Sequence, residues 1–131
     1  MLLILLLVII IVMVIINFSS KKNLFKLREL NEKLKTIISN YPNNKSINYT
    51  LTESSDYTKV FNKKEIHLFI GIYNDHTLLN ALIHEVSHVI CEEDNHTNKF
   101  DEINKKLLDI AINSKLLILS KIENDYPCIS E

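Results

Sequence analysis

The chain has 131 residues with one Gly, two Pro and two Cys. That length suits one small domain, and the composition excludes collagen, low-complexity disorder and a disulfide scaffold. All 15 Lys/Arg and all 16 Asp/Glu follow residue 20 and sum to −1, so direct nucleic-acid binding, which needs a clustered basic excess to displace counterions, is not expected.

Residues 1–16 are uninterruptedly apolar, and Phe18 extends the run past Asn17. As a helix, 1–18 would cover about 27 Å, close to a hydrocarbon core of about 30 Å. A cleaved signal peptide, the lesser alternative, would show a basic start, which is absent, and small residues before the cut; Ser19 and Ser20 are small, but position −3 would be Asn17 or Phe18. A buried helix would have nothing in so small a body to surround it. The reading is therefore a transmembrane anchor over 1–18 and a single domain over 19–131. Residues 21–35 carry six basic and two acidic side chains, and basic flanks stay on the cytoplasmic side. The expected location is a single-pass membrane protein with its body facing the cytosol. The sequons at Asn17, Asn44, Asn48 and Asn95 are then chance products of an Asn-rich chain.

Along the body, Leu24, Leu27, Leu30, Leu34, Ile37 and Ile38 recur at helical spacing, which predicts an amphipathic helix over 23–39. A membrane-surface role for its basic side is the lesser alternative. Residues 40–45 read as a turn. Ile47–Leu51 and Tyr57–Phe61 read as short strands. The best strand is 65–70, with Ile66, Leu68 and Ile70 on one side and His67 and Phe69 on the other. A second helix, from about His76 to Cys91, is apolar on most sides and should be central. Thr97 can cap a third helix over 98–113, with Phe100, Ile103, Leu107, Ile110 and Ala111 inward. Residues 116–119 form an apolar stub. The fold class expected is α+β: a helix, a small antiparallel sheet, then two helices.

The central helix contains His84-Glu85-Val86-Ser87-His88. With five His in the chain, a chance HExxH is expected on the order of 0.01 times. Residues i and i+4 lie one above the other on a helix, so two imidazoles can converge on one Zn²⁺. Glu85, next round the helix, can reach a water in the open position. His96 is the candidate third ligand, in competition with Glu92, Glu93 and Asp94; the chain can reverse after Cys91 and return residue 96 over the helix. Cys91 most simply packs, and a Cys91–Cys128 disulfide would require an oxidising compartment. His67 reads as a strand-surface residue and His76 as a residue near the helix start. An acid beside the site, from 92–94, would favour basic substrates.

With His-x-x-x-Phe (His96, Phe100) following the HExxH, residues 78–111 resemble the WLM zinc metallopeptidase family, and most of all the short WLM-like proteins of large DNA viruses. The strand pair ahead of the motif and the tail tripeptide 126–128 are similar too. The resemblance covers about 57–128. It implies a minimal zincin-like domain in which His84, His88 and His96 hold zinc, Glu85 is the general base and Phe100 supports the site. Metzincins fit poorly, since they need a later Met and this chain has only Met1 and Met13.

The function expected is a membrane-anchored zinc-dependent metallopeptidase acting on a protein or peptide substrate, with Glu85 accepting the proton of the attacking water. Tyr126 is a candidate oxyanion donor, against a plain packing role. The alternatives are an anchored binding or structural protein with a non-catalytic zinc, which would need a fourth protein ligand, and an interaction protein without metal.

Overall fold

The computed structural model describes residues 1–93 and 95–127. It is α+β, in the order α1 (Leu2–Ser39), β1 (Thr50–Ser54), β2 (Lys59–Phe61), β3 (Glu65–Phe69), α2 (Asp75–Ile90) and α3 (Asn98–Asn113), with single 3₁₀ turns at Asn44–Ser46 and Leu119–Lys121.

The sequence pattern separates an apolar segment from an amphipathic helix, but the two are one continuous helix, α1. No Gly or Pro occurs before Pro42, so nothing interrupts the hydrogen-bond ladder. Its first half touches no other element: every apolar side chain from Met1 to Ile16 is exposed. Its last turns bury Leu30, Leu34, Ile37 and Ile38 in the core. Among the described residues α1 is the one helix long and apolar enough to cross a membrane, a property that a signal sequence would share.

The sheet is mixed, not antiparallel as expected. Its order is β1-β3-β2, with β1 parallel to β3 (Leu51 opposite Ile66) and β2 antiparallel to it (Val60 opposite Ile66). Side-chain alternation reveals which face is buried but not strand direction, and direction here comes from the connections. Residues 62–64 turn β2 back along β3, with Asn62 and Lys63 at positive φ. Residues 55–58 carry the chain across the end of β3, from one edge to the other. Thr58, fully buried, seals that crossing: its Oγ1 accepts the Phe69 N–H at 2.9 Å, where a strand partner would otherwise stand. The first strand also lies later than expected, at 50–54. The third is as expected, with Ile66 and Leu68 buried.

Helix α2 packs against the sheet, α1 and α3 and buries Leu78, Leu79, Leu82, Ile83 and Val86. The Asn74 side chain caps it, accepting the Thr77 N–H at 2.9 Å. Asp75, at its start, pairs with Lys26 (3.4 Å) and Lys33 (3.9 Å) of α1. At its other end, Val89 and Ile90 share a cleft with Tyr41, just past the end of α1. The two helices therefore run the same way, and the C-terminal half of α2 lies beside the end of α1 farthest from the apolar segment. Helix α3 spans the residues expected, capped by Thr97 Oγ1, which accepts the Phe100 N–H at 3.4 Å. It closes the core with Phe100, Ile103, Leu107 and Ala111.

Candidate metal centre

The i, i+4 spacing on α2 sets His84 and His88 with ring centroids 5.0 Å apart. The bend after Cys91, with Asn95 at positive φ, returns His96 over the helix, its ring centroid 4.9 Å from each of the other two. Each imidazole offers one ring nitrogen, and the three nitrogens lie within 4.8 Å of one another. The Nε2 atoms of His88 and His96 are 3.1 Å apart. Three imidazoles whose nitrogens lie this close together can hold a metal ion. Glu92 and Glu93 are not in this group; Asp94 lies outside the described residues.

Exposure grades across the site. His88 is buried, His84 half-buried and His96 exposed, so one side of the group opens to solvent. Burial chiefly, then the nearby charge of His88 and His96, pushes the His84 pKa down to about 4. Burial, then His96 and the Lys63 ammonium, pushes His88 down to about 4 as well. Both rings are therefore neutral at pH 7, the form that binds a metal.

Three neighbours hold this arrangement. Phe100, 3% exposed, packs against all three imidazoles at centroid distances of 5.1, 4.4 and 4.7 Å. Ser87 Oγ lies 2.7 Å from the Ile83 carbonyl and 3.2 Å from Asn104 Oδ1, which joins α2 to α3 beside the site. Lys63 Nζ donates to the carbonyls of Cys91 (3.0 Å) and Glu92 (2.8 Å) and so pins the segment that leads to His96. Neither Lys63 nor Asn104 is distinguished in the sequence; the nearest signal is the Asn62-Lys63 turn.

Glu85 is on α2 one residue from His84 and is 1% exposed. Among the described residues no buried side-chain polar atom lacks a hydrogen-bond partner, so this carboxylate is held within the fold. Tyr126 serves the sheet instead: its hydroxyl donates to the Phe69 carbonyl and meets Thr58 Oγ1. His67 packs at a tilt against Phe61, ring centroids 4.5 Å apart, and His76 Nδ1 accepts the Ile118 N–H at 3.1 Å; both lie outside the metal group. Cys91 is a fully buried free thiol; Cys128 falls outside the described residues.

Fold and site define an α+β protein with a long apolar N-terminal helix and a three-histidine group able to hold a metal ion. The chain is 39% identical over 66 residues to Uncharacterized protein 042R of Invertebrate iridescent virus 3, across 46% of its own length. It is 41% identical over 58 residues to Uncharacterized protein 136R of Invertebrate iridescent virus 6, across 38% of its own length. It spans only 40% and 33% of the lengths of those two proteins. No protein-family model and no solved structure matches it.

Proposed function

We propose that the protein is a membrane-anchored zinc metallopeptidase with a zincin-like site of the WLM kind. The observation that carries this reading is the convergence of His84, His88 and His96 on one point, with Glu85 adjacent on the same helix. The donor set suits zinc. Two nitrogens bound to one tetrahedral zinc at about 2.0–2.1 Å stand about 3.3 Å apart, against 3.1 Å for His88 and His96. Among the described residues the group has three members, which leaves a fourth position for water or substrate and disfavours a closed structural site.

When bound, zinc would polarise the scissile carbonyl and bring the pKa of water towards about 7. The chain's own part is divided among four side chains. His84, His88 and His96 bind, each through one ring nitrogen. A carboxylate oxygen of Glu85 takes the proton of the attacking water and returns it to the leaving amine. Phe100 keeps the imidazoles in register and excludes water from their inner side. Residues 1–18 would anchor the chain in a bilayer, and the basic flank at 21–35 favours a cytosolic body.

The test is metal content and turnover together. The intact chain should carry about one zinc. Glu85→Gln should keep it and lose hydrolysis of an unstructured peptide substrate, while His96→Ala should bind zinc more weakly. Turnover that survives Glu85→Gln would remove Glu85 as the base, and a chain without zinc after refolding in its presence would end the enzyme reading.

A further inference from the structure

The turn between β3 and α2 places one large apolar side chain fully in the open. Ile72 is 99% exposed, at the tip of a tight turn closed by the Tyr73 N–H on the Ile70 carbonyl (3.4 Å). Gly71 makes that tip possible: its φ is +51°, and a Cβ there would stand 3.0 Å from the Phe69 ring. The turn is fastened to α1. Lys26 Nζ donates to the Tyr73 carbonyl at 3.0 Å and pairs with Asp75 at 3.4 Å. As a result Gly71 and Ile72 share a shallow cleft with Ser19, Lys22, Asn23 and Lys26.

Those α1 positions fix the height of the tip. Ser19 and Lys22 follow Phe18, the last apolar residue of the run, by about 1.5 and 6 Å of helix rise. The headgroup layer on each side of a hydrocarbon core is about 5–7 Å thick. The same level is basic: Lys21 and Lys22 are exposed, while Asp75 is paired with Lys26 and Glu53 accepts from the Asn23 amide at 2.9 Å.

We propose that the Ile70–Tyr73 turn is a second membrane contact: Ile72 inserts into the headgroup layer of the anionic bilayer that α1 enters, and the flanking Lys21 and Lys22 meet lipid phosphates. The inference rests on residues 1–18 being an anchor and adds that the body is seated against the bilayer instead of swinging from it.

The chain contains no Trp, so a single introduced indole reports alone. Ile72 contributes nothing to the core, and Ile72→Trp should fold normally. The full chain, reconstituted in phosphatidylcholine vesicles containing phosphatidylserine, is compared with Lys45→Trp, an exposed position beyond the far end of α1. The expected result is a blue-shifted emission for Ile72→Trp, quenched several-fold more strongly by lipids brominated near the headgroup than the Lys45→Trp emission. Vesicle flotation with both indoles equally water-exposed overturns the second contact and leaves the anchor standing. Failure of the chain to float overturns the anchor, and this contact with it.

Discussion

Phe100 touches all three imidazoles and is nearly fully buried, so it ties site geometry to core packing. Phe100→Ala should cost about 3–5 kcal/mol and weaken metal binding at the same time, measured by denaturant unfolding and metal titration. Lys63 acts at a distance, through the two carbonyls that it holds. Lys63→Met should lower metal affinity about tenfold, the scale seen when groups that orient ligands are removed, with the unfolding midpoint nearly unchanged. The depressed His pKa values have a definite sign. Between about 6.5, the unfolded value, and about 4, the folded value of His84 and His88, the unfolded chain binds more protons. The metal-free protein should therefore keep its full stability above pH 6.5 and lose it as pH falls toward 4; midpoints that do not change over that window would contradict the burial of these rings. At this scale the sequence was informative where chemistry follows spacing. The His84–His88 pair is legible because i and i+4 share a helix face, and His96 stood out over Glu92 and Glu93 because the chain can reverse after Cys91 and bring it back over the helix. Lys63 was not legible, since a lysine that serves two carbonyls looks like any surface lysine until the β2–β3 turn is placed against the end of α2.

Helices and strands differ in how far local signals define them. The bounds of α3 could be read directly, because Thr97 caps it and the apolar positions repeat through Ala111. The start of α2 at Asp75 depends on Asn74, which accepts from both the Thr77 N–H (2.9 Å) and hydroxyl (3.1 Å) and donates to the Lys121 carbonyl (2.8 Å). Asn74→Ala should cost about 1–2 kcal/mol, near the top of the range for caps, and Thr97→Ala, with its longer 3.4 Å contact, nearer 0.5 kcal/mol. Comparing the two denaturation midpoints checks the order. Strand direction had no local signal at all. The parallel pairing of β1 with β3 follows from the crossing at 55–58, where Thr58 replaces a backbone partner, and a lone threonine among Ser, Asp and Tyr does not announce that role.

At the scale of the whole molecule, α1 is both an exposed apolar rod and a wall of the core. The absence of any helix breaker before Pro42 was visible in the sequence, yet the change of pattern near residue 20 suggested a joint between anchor and body. The ladder of backbone hydrogen bonds continues through that point because Ser, Lys and Asn there tolerate helix. Replacing the joint by a flexible one, Ser19→Gly with Ser20→Pro, should leave the metal content unchanged and raise the rotational freedom of the body relative to vesicles, read as lower fluorescence anisotropy of a label on the body. An unchanged anisotropy would mean that α1 does not transmit orientation. A rigid helix also measures distance. Because α2 runs alongside the last turns of α1, the three histidines lie roughly 25–30 Å of helix rise beyond Phe18. An extended strand gains about 3.3 Å per residue, so if residues 1–18 span a bilayer as proposed, a target rooted in that bilayer would need at least about eight unfolded residues outside it to reach the site. For the anchored peptidase proposed above, proteins with shorter stalks would pass underneath untouched, and the length of one helix would act as a selection rule for which neighbours can be cut.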